Sequence, residues 1–283
     1  MQIPETAGTT RVVELLAACS LPRSEARALL AAVVGTRREF LVAHPDLRVV
    51  APDAHRFRAL AARRSTGTPM AYLLQRQEFY GRAFEVSPAV LVPRPETELL
   101  VDIAREALSG RGPVRVLDLG TGSGCIAITL ALEMPGAQVI GVDRSTDALR
   151  VARANAAALG ASVTWTASDW YADLPADARF DAIVANPPYI ADDDPHLTAL
   201  RDEPQDALVA GPDGLRDIRL VVAGAGVRMR PCGLLAVEHG ADQGAAARQL
   251  MAAAGFDDVD TRRDAAGLER VAIGRWRARE GAK

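Results

Sequence analysis

The sequence predicts an α/β fold, a mostly parallel seven-stranded sheet with helices on both faces, preceded by a small helical domain. Three observations carry this expectation. From about residue 96, short apolar runs alternate with Ala-rich stretches of helical spacing, the pattern of strands joined by crossover helices. From about residue 9 to 75 only helical periodicity is visible. Two of the strand candidates end in unusual residues, DLGTGSG and NPPY, at the carboxyl ends where parallel sheets bind their ligands.

The front region reads as three helices, TRVVELLAAC, SEARALLAAVV and DAHRFRALAARRS. Val12, Val13, Leu15, Leu16, Leu29, Leu30, Val33 and Val34 supply the apolar faces, and Ser24 suits an N-cap. Residues 76–95 change character. Phe79, Phe84, Val86 and Val90-Leu91-Val92 are strand-like, with Gly81 and Pro88 as turn signals, so a hairpin-like connector is expected. Seven strand candidates follow: RVLDLG, QVIGVD, VTWTA, DAIVAN, GLLAVE, DVDTRR and RVAIGRW. Helices are expected from about Cys125, over DALRVARANAAALG, over LRDIRLVVAGAGVRM and over DQGAAARQLMAAAG. The expected division is 1–75 helical domain, 76–95 connector and 96–283 α/β domain.

Composition narrows the classes. At 283 residues, 49% hydrophobic and 24% charged, the chain is an ordinary globular sequence. No apolar run approaches a membrane span. The start, MQIPETAGTTRVVELL, lacks a basic segment followed by a long apolar core, so a cytoplasmic protein without a secretory signal is expected. Cys19, Cys125 and Cys232 form no C-x-x-C pair, and His44, His55, His196 and His239 show no ligand spacing; reduced thiols and no metal follow. Residues 1–95 hold 13 Arg against eight acids, whereas the remainder holds 20 basic against 28 acidic residues. The basic front is compatible with an acidic partner or with a solvated helical surface.

The first informative motif is Asp118-Leu119-Gly120-Thr121-Gly122-Ser123-Gly124, after the strand candidate RVLDLG begins. Glycines let backbone approach a ligand and permit positive φ, and the following helix offers free N–H groups. A dinucleotide fingerprint needs G-x-G-x-x-G/A, but Cys125 occupies its last position. The next strand ends in Asp143, 23 residues beyond Gly120, where a carboxylate can accept from both hydroxyls of a ribose. This joint pattern resembles the S-adenosylmethionine site of Rossmann-like methyltransferases, whose ligand has no pyrophosphate. Asp169-Trp170 suits the adenine end, the acid for an amino group and the ring for packing; Trp170 as a half-buried core residue is the alternative.

The second motif is Asn186-Pro187-Pro188-Tyr189. Prolines fix φ and remove donors, so this strand stops against a rigid element. Asn186 Oδ1 and the Pro187 carbonyl can accept two N–H bonds from a planar NH₂ group, and Tyr189 can pack over it. Such acceptors hold a poorly nucleophilic nitrogen in line with a methyl donor and stabilise the charge that develops. The plainer reading is a stiffened loop with Tyr189 as a core lid.

Taken with P-M-A-Y-L-L (69–74), E-F-Y-G-R-A-F-E-V (78–86), V-L-V-P-R-P-E-T-E (90–98), A-G-P-D-G-L (210–215) and D-A-A-G-L-E-R (264–270), these motifs make the chain resemble the PrmC/HemK family, methyltransferases of release-factor glutamine. The resemblance implies a Rossmann-like S-adenosylmethionine-dependent methyltransferase fold and a peptide chain release factor as substrate, recognised with the help of the helical front. It implies cofactor contacts at Gly120, Thr121, Gly122, Ser123, Gly124, Asp143, Trp170 and Asn186, and glutamine held by Asn186, Pro187, Pro188 and Tyr189. A monomer with no stable nucleic-acid binding is expected. Because NPPY is shared with nucleic-acid amino-methyltransferases, methylation of adenine N6 or guanine N2 stands as the alternative. Gln75 and Cys232 depart from the family pattern where glycine is usual. Arg94, Glu96 and Thr97 read either as a helix start or as residues that close the pocket. Asp192-Asp193-Asp194 reads as a solvated loop, and Glu238 and His239 as strand-end residues outside the site.

Overall fold

The computed structural model describes residues 8–277. Residues 1–7 and 278–283, the outer ends of the two expected domains, lie outside the described residues. The chain divides into two compact units, residues 1–76 and 77–283.

The first unit is helical with a small antiparallel pair, β1 (Thr9–Arg11) and β2 (Arg48–Val50). Its helices are α1 (Val12–Ala17), α2 (Arg23–Val34), α3 (Arg38–Ala43), α4 (Ala51–Ser65) and α5 (Met70–Leu74). The core joins Val12, Leu15, Leu29, Leu30, Leu41 and Phe57, so the expected apolar faces of the first two helices do meet. Val13 faces outward. The strand pair, α3 and α5 are elements the periodicity did not announce. Ser24 is not the N-cap of α2: Pro22 holds that place, and Ser24 lies inside the first turn, where proline at the boundary already fixes φ.

A hairpin, β3 (Arg76–Phe79) and β4 (Arg82–Glu85), begins at the last residue of the first unit and otherwise belongs to the second. Tyr80 and Gly81 both have positive φ, the requirement of a two-residue type I′ turn. The expected strand character of 90–92 is not realised. Val90 and Val92 are buried, but the segment is irregular and leads into a 3-10 turn, Pro95–Thr97, and then α6 (Glu98–Leu108).

The sheet then forms from β5 (Arg115–Leu119), β6 (Gln138–Asp143), β7 (Thr164–Ala167), β8 (Phe180–Ala185), β9 (Met229–Glu238), β10 (Asp257–Arg263) and β11 (Glu269–Trp276). All seven expected strands are present. Their order is β10-β11-β9-β8-β5-β6-β7; β7, β6, β5, β8 and β9 run parallel, and β11 and β10 are antiparallel. The crossover helices are α7 (Cys125–Glu133), α8 (Thr146–Leu159), α9 (Arg216–Ala225) and α10 (Gly244–Ala253). Alternate residues of β5 show why both faces must be covered. Val116 packs with α6 and α7, whereas Leu117 and Leu119 pack with α9 and α10. The chain reverses its direction across the sheet between β5 and β8, which opens a crevice at their carboxyl ends.

Candidate active site

A cavity of about 300 Å³ lies in that crevice, walled by residues of the second unit alone. Gly120, Thr121, Gly122, Ser123, Asp143, Trp170, Asn186 and Pro188 all line it. Asp169 lines it too, so nine of the residues singled out from the two sequence motifs and the intervening strand ends are brought together by the fold.

One wall is the turn after β5. Gly122 has φ 55°, and a Cβ there would meet nothing within 4 Å, so its backbone stands bare. Its N–H donates to Asp143 Oδ2 (2.9 Å), while the Ser145 N–H donates to Asp143 Oδ1 (2.8 Å). Burial raises the Asp143 pKa and these two N–H groups oppose that rise. Each carboxylate oxygen keeps a further acceptor position. Beneath the turn, Asp118 Oδ2 accepts from the Thr121 hydroxyl (2.5 Å) and the Ala127 N–H (3.2 Å), and its Oδ1 has no partner among the described residues. Complete burial pushes the Asp118 carboxyl up to about 7.

Trp170 closes the same end. Its φ of 50° is strained for a bulky residue, and a Cβ on Gly120 would lie 3.6 Å from its ring. The Ser168 hydroxyl holds this turn, donating to the Trp170 carbonyl (3.1 Å) and accepting from the Asp173 N–H (2.9 Å).

Gly124 departs from the expectation. It is not in the cavity wall but caps α7 in the left-handed region, and a Cβ would lie 2.9 Å from Ile128 Cδ1 and 3.0 Å from the Trp165 ring. Its missing side chain serves helix packing, so it shares the motif with its neighbours for a different physical reason.

The other wall is built on the end of β8. Asn186 Nδ2 donates to Thr97 Oγ1 (3.1 Å), which leaves Oδ1 without a protein partner among the described residues. Pro187 is buried and does not line the cavity, whereas Pro188 does. Tyr189 is also off the wall. Its ring packs with the apolar cluster on the α9 and α10 face, its carbonyl accepts from Gln243 Nε2 (3.0 Å), and its hydroxyl donates to Glu238 Oε1 (3.3 Å). Its expected place over a planar substrate group is thus not where the ring sits.

Glu238, left outside the site by sequence, is drawn in. It is 1% exposed, accepts from the Tyr189 hydroxyl, and is pushed up to about 7 by burial. His239 donates from Nδ1 to the Gly240 carbonyl (2.7 Å), and burial lowers its pKa, so it is a neutral imidazole away from the cavity.

Sequence reasoning missed two stretches. Ala89–Pro93 lines the cavity as an irregular strip, and Pro204, Asp206 and Ala207 approach it from the loop after β8. Glu203 ties the two, accepting from the Val92 N–H (3.1 Å) and pairing with Arg94. The V-P-R-P-E-T-E segment was a signal for the first stretch; D-E-P-Q-D-A reads as a polar loop and gave none. Arg94 and Thr97 lie on the wall and Glu96 does not, while Pro95 and Glu96 do begin a helical turn. Asp192 and Asp193 are exposed, and Asp194 caps the 3-10 turn Pro195–Thr198 through the His196 N–H (2.8 Å).

A bare backbone turn, an anchored carboxylate and an indole ring share one cavity. These suit a ligand with an amino-acid tail, a ribose and a purine, so the residues present fit S-adenosyl-L-methionine. Fold and site together define a Rossmann-like S-adenosyl-L-methionine-dependent methyltransferase. The methyltransferase small domain matches residues 95–207 and the PrmC N-terminal domain matches residues 10–74. The release factor glutamine methyltransferase of Bordetella pertussis is 49% identical over 94% of this chain and 99% of its own length. That of Burkholderia pseudomallei is 48% identical over 93% and 95%. Among solved structures, the T. Thermophilus 16S rRNA N2 G1207 methyltransferase in complex with AdoMet and guanosine superposes with TM-score 0.55 at 24% identity, covering 71% of this chain and 50% of that one, a likeness of fold. The chain belongs to the release factor glutamine methyltransferase family.

Proposed function

We propose that this enzyme transfers a methyl group from S-adenosyl-L-methionine to the side-chain amide nitrogen of the glutamine in the Gly-Gly-Gln motif of peptide chain release factors. The observation that carries the reading is the shared cavity: Asn186, with an unpartnered carboxamide oxygen, lines the same space as the Gly120–Ser123 turn and Asp143. In this reading Gly120, Thr121, Gly122, Ser123, Asp143, Trp170 and Asn186 hold the cofactor, and Asn186, Pro187 and Pro188 hold the glutamine. When bound, S-adenosyl-L-methionine supplies an electrophilic methyl on a sulfonium.

The protein's own residues do the rest by placement and charge. An amide nitrogen is a weak nucleophile because its lone pair is delocalised into the carbonyl. Asn186 Oδ1 and the Pro187 carbonyl accept its two N–H bonds, fix its orientation and stabilise the positive charge that grows on it. Hydrogen bonds to a charged group are worth about 1.5–3 kcal/mol each. Fixed dipoles need no rearrangement during reaction. The surplus proton leaves to water after the new C–N bond has formed, so no general base is required.

The helical region 1–75 recognises the release factor in this reading, 76–95 connects, and 96–283 performs catalysis. No helix of the described residues is long and apolar enough to cross a membrane. We place the enzyme in the cytoplasm as a monomer without stable nucleic-acid binding. The test is mass spectrometry of the Gly-Gly-Gln peptide after incubating unmethylated release factor with the enzyme and labelled methyl donor. A single methyl on the glutamine is expected; label found only in added DNA or RNA overturns the reading in favour of a nucleic-acid amino group.

A further inference from the structure

Ala210 to Leu215, the A-G-P-D-G-L stretch, contributes nothing to the cavity wall, yet the fold sets it against the exit of the Asn186–Tyr189 element. Gly214 is buried with φ 66°. A Cβ there would lie 2.3 Å from the Tyr189 carbonyl oxygen and 2.7 Å from Gln243 Nε2, closer than a side-chain carbon can sit to either atom. Glycine is what lets the two backbones come this near. Gln243, the residue before α10, fills the junction. Its Nε2 donates to the Tyr189 carbonyl (3.0 Å) and reaches the carbonyls of Gly214 (3.3 Å) and Asp213 (3.4 Å). Its Oε1 accepts from the Gly240 N–H (2.9 Å), which fixes the amide with its nitrogen toward Tyr189.

The prolines explain why such a junction matters. Pro187 and Pro188 have no N–H, so neither is tied to the fold by a backbone donor of its own. Proline fixes φ, and a following proline confines ψ to an extended range about 40° wide. The element is therefore stiff, and its direction is decided by how its two ends are held. The sheet holds the entry, where Ala185 pairs with Leu119 and Val237. Gln243 holds the exit at the Tyr189 carbonyl. One residue on, the Ile190 N–H donates to the Leu208 carbonyl (2.9 Å) and the Ile190 carbonyl accepts from the Ala210 N–H (2.8 Å). Asn186 and Pro188, between these anchors, line the cavity, whereas Gly214 and Gln243 do not.

We infer that Gln243, seated against Gly214, is a positioning residue: by holding the Tyr189 carbonyl it aims the Asn186 Oδ1 and Pro187 carbonyl acceptors at the methyl-accepting nitrogen. The inference rests on the proposed glutamine-methylating reading of the site and adds residues that reading does not use. A stiff element carries a shift at one end to the other, so losing the exit anchor tilts the acceptors. A misplacement of about 1 Å can cost about 100-fold in rate. The cofactor wall has ties of its own, from the Gly122 and Ser145 N–H groups to Asp143, and does not depend on this anchor.

The experiment compares wild type with Gln243→Met, Gln243→Glu and Gly214→Ala, reading kcat and KM on release factor, cofactor affinity and the thermal midpoint. Gln243→Met keeps the length of the side chain and removes its donor. Gln243→Glu keeps an acceptor for Gly240 but sets an oxygen against the Tyr189 carbonyl, and Gly214→Ala forces the two backbones apart. Each should lower kcat about 10–100-fold, while cofactor affinity and KM for release factor change by less than about threefold. A bond that serves stability alone would lower the midpoint and leave kcat per folded enzyme, counted by cofactor titration, within about threefold of wild type. That result in Gln243→Met overturns the inference, as does a loss of cofactor affinity in proportion to kcat. A Gln243→Met that fails to fold overturns it too, since the bond then serves the fold itself. Gln243→Met adds neither bulk nor charge, so it decides the question even where Gly214→Ala does not fold. A wild-type enzyme that leaves release factor unmethylated overturns the underlying reading instead.

Discussion

Asp143 and Glu238 end strands on either side of the β8–β5 pair, and the protein treats these two carboxyl groups in opposite ways. Asp143 reaches the cavity, with one bond from a backbone N–H on each oxygen. Glu238 is sealed behind the wall, with the Tyr189 hydroxyl on one oxygen and no partner on the other among the described residues. The difference follows from what each end of the cavity must meet. A ribose offers donors and is served by an exposed charge. In the proposed reading a methyl-accepting nitrogen is turned by acceptors set at fixed positions, and the neutral Asn186 carboxamide supplies one of them. In that reading a carboxylate presented to the cavity serves the cofactor, and a neutral amide serves the chemistry.

The largest expected effect breaks that division cleanly or refutes it. Asn186→Ala should lower kcat by about 10²–10³-fold, the usual loss for one preorganised charge-stabilising group. Asp143→Asn should leave kcat at saturating cofactor within about tenfold and weaken cofactor binding by about 10–100-fold, because a charged acceptor becomes neutral. Equilibrium titration of cofactor alongside single-turnover kinetics separates the two. If both variants lose affinity and turnover in the same proportion, the two walls do not have separate tasks.

A second test concerns Asp118, which is concealed like Glu238 yet lies under the cofactor wall. Its ordinary carboxyl pKa is 3.8 and burial raises it to about 7 in the folded protein. The folded state therefore holds a proton that the unfolded chain has lost between those values. Its contribution to stability is full in acid and declines as pH rises from about 4 to about 7. Asp118→Asn keeps an oxygen for Thr121 and Ala127 and cannot ionise. Relative to wild type the variant should gain stability with increasing pH, by on the order of 3 kcal/mol between pH 5 and pH 8 at about 1.4 kcal/mol per tenfold change in proton affinity. Denaturant melts of the cofactor-free enzyme at pH 5 and pH 8 measure it. A difference independent of pH would mean Asp118 is charged in the fold throughout.

The order of strands and helices was legible because buried parallel strands and amphipathic helices impose periods on the sequence, as RVLDLG and DALRVARANAAALG show. DLGTGSG and NPPY were legible because backbone bareness and rigidity demand particular residues. What could not be read was purpose within a motif. Gly122 and Gly124 look alike in sequence, yet one bares backbone to a cavity and the other makes room for Ile128 and Trp165. Nor could a residue's partner be read when the partner is distant in sequence. Thr97 is 89 residues from Asn186, and Glu238 is 49 from Tyr189. Nothing local distinguishes such a glutamate from one in solvent. Val90-Leu91-Val92 misled because β-branched residues also suit a buried irregular strip, whose Val92 N–H is satisfied by Glu203 rather than by a neighbouring strand.

The smallest test compares strain at the cavity with strain away from it. Gln75, the C-cap of α5, has φ 56° and Trp170 has φ 50°. Glycine relieves the steric cost at either position. Against roughly 1–2 kcal/mol of left-handed strain stands the extra entropy glycine loses on folding, so Gln75→Gly should stabilise by up to about 1 kcal/mol. It should leave turnover unchanged. Trp170→Gly relieves the same kind of strain but removes the ring that packs on Gly120 in the cofactor wall, so cofactor affinity should fall even if the fold becomes easier to form. Thermal melts and cofactor titration of the two variants decide the matter. Strain at Trp170 serves binding if relief there costs affinity, and is incidental if both glycines behave alike.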